Sequence, residues 1–226
     1  MNTFVAPSRK ELFRGGLYLL AHLALLPAVV GEFFSLFALS AAWKNILYMA
    51  LEGGVILWIF HRYLRRSLQR FFESPLICLG MAAGGLGVYL LLNFLWNLLL
   101  AHLGLTQQNL NDTAITGLLN QAFWPMAVCT VVLTPLAEET LYRGILFAGL
   151  YKKNRLLSYV ISMAAFSAVH VLPYLGQYTP EMTLLNFMRY LPAGLVLAGS
   201  YALSGTSIVP MIIHCAVNTI GILAMR

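Results

Sequence analysis

Apolar segments run at about 15–40, 44–61, 75–103, 121–150, 156–173, 187–203 and 206–225, each near the roughly 20 residues that a bilayer-crossing helix needs. Little of the 226-residue chain is left over, since 60% of it is hydrophobic and only 10% is charged. A water-soluble domain of that composition would lack the polar surface to face solvent. In lipid, backbone polar groups must be satisfied within the segment, which helices do. The expected fold is therefore all-α, a polytopic transmembrane helical bundle of about seven spans. Pro27 and Glu32 lie inside the first segment, and a break there would raise the count to eight. One integral membrane domain over 1–226 is expected, with short connections between spans.

The formal charge of +6 raises nucleic acid as a partner, but the placement of the 14 Lys and Arg argues against it. Arg9, Lys10 and Arg14 precede the first span, Arg62, Arg65, Arg66 and Arg70 follow the second, and Lys152, Lys153 and Arg155 follow the fourth. All of these fall on one face, whereas the opposite connections hold Lys44 and Arg189, and 105–120 holds no basic residue. Lys and Arg collect on the cytoplasmic side of short connections, so that face is cytoplasmic, as is the N-terminus, and the C-terminus is external. Membrane lipids are the expected partners, and nucleic acid is not. The polar start leads into the first span without a small-residue cleavage pattern, so that helix is expected to stay. The compact chain carries no organelle-targeting extension, which points to a prokaryotic plasma membrane. Cys78, Cys129 and Cys215 are odd in number, sit in apolar segments and lack metal-finger spacing, so they are expected to pack and not to pair.

Three ionisable groups, Glu138, Glu139 and Arg143, interrupt the apolar run TVVLTPLAEETLYRGILFAGL. Each charge at the centre of a lipid-facing helix costs about 2.5 to 3.5 kcal/mol, so such groups face a protein interior and mark function. At 1.5 Å per residue, Glu138 lies about 21 Å from the cytoplasmic end of its helix and His170 about 22 Å along the next. His214 and Asn218 lie about 13 to 20 Å beyond the turn at 204–206. Separate helices thus bring polar groups to one layer.

Spacing adds detail, because residues four apart share a helix face. Glu139 and Arg143 pair along one face, while Glu138 is turned away by about 100° and is free for a different task. Phe166 and His170 set an imidazole beside an aromatic shelf. His214 and Asn218 make a clamp of two donors, which suits an oxyanion.

The motifs E-E-T-L-Y-R at 138–143, F-S-A-V-H at 166–170 and H-C-A-V-N at 214–218 occur in that order. Together they resemble the CAAX protease and bacteriocin-processing (CPBP, or Abi) family of intramembrane endopeptidases. The resemblance covers a catalytic core of about 121–221; earlier residues match only in being hydrophobic. It implies a protease acting on peptide bonds near or within the membrane, in prenylated CAAX tails, in bacteriocin or signal-peptide maturation, or in self-immunity. By similarity to the Ras-converting CAAX endopeptidases, Glu138 and His170 would activate water, and His214 and Asn218 would hold the oxyanion. Glu139, Arg143 and Phe166 would support them. The substrate would be a peptide or a lipid-modified protein.

That resemblance favours hydrolysis with no required metal. A zinc site remains the alternative, with Glu138, His170 and His214 as ligands, although no H-E-x-x-H helix is present. Other classes stay open: a proton-coupled transporter using the same ionisable groups, or an immunity protein that binds without cutting. Taken singly, Glu139 with Arg143 is equally an intrahelical ion pair, and each histidine a packed one. His22 and His102 lack partners at helical spacing and are expected at helix ends or interfaces. Glu32 and Glu52 are expected to bond across helices, to line a cavity or to help an external-side entry. Gly80 and Gly84 form a G-x-x-x-G pair expected to seat a neighbouring helix. Pro135 is expected to loosen the helix beside Glu138.

Overall fold

The computed structural model describes residues 4–105 and 109–225. Helices α1 (Arg9–Ala24), α2 (Leu26–Ser35), α3 (Ala41–Phe72), α4 (Pro75–His102) and α5 (Leu110–Leu119) come first. A helical column over 123–151 follows, built from α6 (Phe123–Val128), α7 (Thr134–Glu138) and α8 (Ala148–Tyr151) with π-helical turns between them. Then come α9 (Arg155–Val169), a 3-10 turn at Leu172–Tyr174, α10 (Pro180–Ser204) and α11 (Ile208–Ala224), with no strand among the described residues.

Local chemistry sets the helix ends. Ser8 and Glu11 form a reciprocal capping box at the start of α1, and the Ser40 and Thr179 hydroxyls cap α3 and α10. Gly205 ends α10 in the left-handed conformation, at φ 74°, where a side chain would be strained. The break expected at Pro27 is present: α1 and α2 meet at 60° around Leu25. The connection expected as a loop at 105–120 instead holds α5, capped by the Asn109 side chain, which accepts from the Asn111 and Asp112 amides. Part of that connection, 106–108, lies outside the described residues.

Burial is the reverse of a water-soluble protein. Leu76, Trp124 and Trp58 are exposed at 83%, 73% and 72%, whereas Glu139 and Arg143 are fully buried. An apolar exterior around a charged interior is what lipid requires. By length and apolarity alone α4 and the stretch 155–174 qualify as spans, and the bent α1–α2 pair would make a third. Polar groups such as Lys44 and Glu52 dilute α3, and α11 has 17 residues, so the larger span count is not carried by these criteria.

The main core joins α3, the 123–151 column, α9, α10 and α11 through Phe60, Tyr63, Leu141, Phe166, Leu197 and Ile213. The small-residue contact on α4 is not where the spacing of Gly80 and Gly84 places it. A Cβ at either would meet nothing within 4 Å, whereas one at Gly85 would come within 2.6 Å of Ile213 on α11. G-x-x-x-G marks a possible face, but the turn of α4 presents the adjacent glycine to its neighbour.

The cysteines are free, with Cys78 and Cys129 buried and Cys215 half-buried.

Candidate active site

The column over 123–151 carries the acidic pair, and its winding explains how neighbouring glutamates diverge. Pro135 has no N–H to give, and its ring would crowd the carbonyl four residues earlier in a regular helix. The chain widens into a π turn at Cys129–Leu133, and a second runs over Glu139–Phe147. Loosening beside Pro135 thus takes the form of wide turns in the column. The carbonyls they release find side chains: Asn218 donates to Thr130 O at 2.8 Å and Ser162 to Tyr142 O at 3.1 Å.

Glu139 points into the packed interior. Its Oε1 accepts from Arg143 Nη1 at 3.1 Å and from His214 Nδ1 at 2.8 Å. Arg143 also reaches the Gly194 carbonyl at 3.4 Å and lies 4.6 Å above the Phe166 ring. The expected Glu139–Arg143 pair is therefore present, and it extends to α11 through His214. Neutralisation and hydrogen bonding together make such a buried charge tolerable.

Glu138 lines a cavity of about 900 Å³ together with His170, His214 and Asn218. The residues that depth placed in one layer do share one space. Glu138 Oε2 is buried and has no hydrogen-bond partner among the described residues. A buried carboxylate oxygen without a partner is uncommon in a folded interior and marks a site of function.

The His170 ring is fixed on three sides. Its Nδ1 lies 2.8 Å from the Phe166 carbonyl, which can only accept, so Nδ1 carries the proton and Nε2 is the basic nitrogen of the neutral ring. Phe166 packs against it at 4.8 Å, as the shelf expectation has it, and Tyr190 stacks on it at 4.2 Å. His170 is also the residue at which α9 ends.

His214 and Asn218 both face the cavity, yet each has one donor in use, on Glu139 and on Thr130 O. His214 Nε2 and the second N–H of the Asn218 amide remain for a ligand. Glu138, His170 and His214 are not gathered as a metal set: among the described residues, no group of three His, Cys, Asp or Glu is placed to hold an ion.

A family model described as Rce1-like, type II CAAX prenyl endopeptidase, matches residues 120–220. Over that stretch the helical core is similar to this family. All seven expected site residues lie inside the matched stretch, and Rce1-like proteins are proteases. The segment before residue 120, which supplies α1 to α5, lies outside the match. No curated protein and no solved structure matches the chain.

Several residues around the Rce1-like core were not singled out by their sequence. Tyr190 is one, hidden in the run NFMRYL with no partner at helical spacing. Asp112 on α5 pairs with Arg189 at 3.5 Å, and Asn109 donates to Tyr190 at 2.9 Å, so α5 is tied to α10 across the cavity. Arg189 had been expected only as an external-side charge. His22 lies in the last turn of α1 at its interface with α3, as expected, and there pairs with Glu52 at 3.0 Å and with Tyr48 at 3.2 Å. Its partners come from another helix, beyond the reach of spacing within one segment, and Glu52 does bond across helices. Glu32 is exposed on α2, and His102 ends α4.

Proposed function

We propose that this protein is an intramembrane endopeptidase in which Glu138 and His170 activate a water molecule and His214 and Asn218 stabilise the oxyanion. The observation that carries the proposal is the division of the two glutamates. Glu139 is tied through its Oε1 to Arg143 and His214 and does not line the cavity, whereas Glu138 lines the cavity that His170 shares.

In the proposed reaction, water lies between Glu138 and His170 Nε2. Glu138 takes a proton as the water oxygen bonds to the scissile carbonyl carbon. The carbonyl oxygen becomes an oxyanion, held by His214 Nε2–H and the second Asn218 N–H. The C–N bond then breaks, and the proton on Glu138 passes to the leaving amine. His214 Nδ1 is held by Glu139, which orients the ring and with it Nε2 toward the cavity.

The proposed substrate is a peptide or a lipid-modified protein, as the family's processing of prenylated CAAX sequences suggests. Roles in bacteriocin processing or immunity belong to the same proposal. So do a bundle of seven or eight crossings in a prokaryotic plasma membrane with the N-terminus cytoplasmic, and hydrolysis without a metal. Apolar side chains around the exterior and basic loops on one face support this placement.

Glu138→Gln tests the reaction, since it keeps the shape and removes the base. Purified variant and wild type are compared on peptides released from membranes of cells lacking the protein. The expected result is wild-type folding with cleavage lost; normal turnover by a folded variant would falsify the role. Wild-type activity after exhaustive chelation is expected to be unchanged, and its loss with recovery on zinc would restore the metal alternative.

A further inference from the structure

We propose that a pocket between the start of α1 and the second half of α3 binds the phosphate of an anionic lipid headgroup. It shares no residue with the cavity that holds Glu138, has a volume of about 420 Å³, and is lined by Ser8, Glu11, Arg62, Arg65, Arg66 and Gln69. Clefts of about 300 to 1,000 Å³ are the size that small ligands occupy.

The four α3 residues recur at spacings of three and four, which brings them to one helix face. A helix that needed basic residues only to mark its cytoplasmic end could spread them around its circumference, where like charges repel less. Here they line a concavity. Arg66 is fixed: its Nε donates to the Arg62 carbonyl at 3.4 Å, and its Nη2 to the Ala6 carbonyl at 3.2 Å and to Glu11 Oε2 at 3.3 Å. Both N–H groups of its Nη1 are left for a ligand. Arg62 and Arg65 are exposed and have no acidic partner among the described residues.

Glu11 does not cancel this charge. Its Oε1 accepts from the Tyr63 amide at 2.8 Å, and its Oε2 from the Ser8 amide at 2.7 Å as well as from Arg66. Three guanidinium groups against one carboxylate leave the pocket with a net charge of +2. Guanidinium forks match phosphate oxygens two at a time, and the Gln69 amide has donors to add.

The surroundings select a lipid over a soluble anion. Trp58, one turn before Arg62 on α3, is largely exposed, as are Phe13 and Leu17 farther along α1. Acyl chains carried by a phosphate in the pocket would lie along this apolar surface, with the Trp58 indole near the headgroup level that tryptophan favours. Such a ligand also bridges two helices. Glu11 ties α1 to the Tyr63 amide, and a Cβ at Gly144 in the 123–151 column would come within 3.2 Å of the Tyr63 ring. Binding to α1 and α3 together therefore stabilises the folded bundle by mass action.

Melting of the purified full-length protein in neutral detergent tests the site, with dioctanoylphosphatidylglycerol, dioctanoylphosphatidylcholine or inorganic phosphate added. A concentration-dependent rise in melting temperature is expected with phosphatidylglycerol alone, and it should weaken as salt is raised. Arg62→Gln with Arg65→Gln is expected to weaken the apparent affinity at least about tenfold through lost charge-assisted hydrogen bonds. Its melting temperature without lipid should stay near wild type, because both side chains are exposed. Lys152→Gln with Lys153→Gln removes the same charge from the same face and is expected to keep wild-type affinity. Equal weakening by the two double variants would mean diffuse attraction to the basic face and overturns the pocket. An equal rise with inorganic phosphate overturns the lipid as its source, and an equal rise with phosphatidylcholine, or none with any ligand, overturns the site.

Discussion

His214 and Glu139 meet at 2.8 Å, Nδ1 to Oε1, on the carboxylate oxygen that also receives Arg143 at 3.1 Å. This contact joins the supporting ion pair to the proposed oxyanion donor, so Glu139 acts on the reaction through His214. Glu139→Gln keeps the shape and removes the counter-charge. A fall in kcat of at least about tenfold with KM little changed is expected, because the donor is used in the transition state and not in binding. Steady-state kinetics decide it: a change confined to KM would place Glu139 in substrate binding.

The same pair makes a stability prediction of opposite character. Arg143 and Glu139 are fully buried, so Arg143→Ala strands a carboxylate and is expected to cost about 3 to 5 kcal/mol. Replacing both, as Glu139→Leu with Arg143→Met, removes the orphaned charge. The double variant is expected to unfold at a higher temperature than the Arg143→Ala variant in the same detergent. Equal destabilisation would mean that the pair does not act as a unit.

Asn218 sits between the Thr130 carbonyl and the cavity. Loss of one oxyanion donor costs about 10² to 10³ in kcat, and Asn218→Ala is expected to fall in that range with KM nearly unchanged. Asn218→Ala with kcat near wild type and a lowered melting temperature would instead make the Thr130 bond its whole contribution.

Much of this arrangement was legible in the sequence because it is local. Glu139 with Arg143, and Phe166 with His170, are four residues apart on single helices, and helical spacing alone brings them together. The break near Pro27 follows from proline chemistry in the same way. Contacts between helices were not legible. Tyr190 on His170, Asp112 with Arg189 and His22 with Glu52 each depend on how separate helices rotate about their axes, which periodicity does not fix. The π turns were hidden for a related reason: proline announces a disturbed helix, but the receiving partners, Asn218 and Ser162, lie on other helices.

The rotation of α4 is open to a direct check, since Gly85 and not Gly80 faces α11. A Cβ at Gly85 would crowd the flexible end of Ile213, and branching it further overpacks the contact at about 1 to 3 kcal/mol. Gly85→Val is therefore expected to lower the melting temperature in detergent, and Gly80→Val to leave it near wild type. Destabilisation by Gly80→Val alone would mean that α4 presents the other glycine.

His170 lies between two rings, Phe166 on its own helix and Tyr190 on α10, with the Tyr190 hydroxyl held by Asn109. The stack fixes the ring plane, and with it the direction of Nε2, so Tyr190 is a positioning residue for the proposed water-activating pair. Aromatic pairs contribute about 0.5 to 1.5 kcal/mol beyond their burial, which caps the expected effect near tenfold in rate. Tyr190→Phe keeps the ring and loses only the bonds of its hydroxyl to Asn109 and Asn111, so kcat is expected to stay close to wild type. Tyr190→Leu removes the stack while filling the space, and kcat of the folded protein is expected to drop by about tenfold at unchanged KM, with a small fall in melting temperature. A structural role alone would lower the melting temperature and leave the kcat of the folded fraction intact, so measuring both quantities on each variant separates the two accounts.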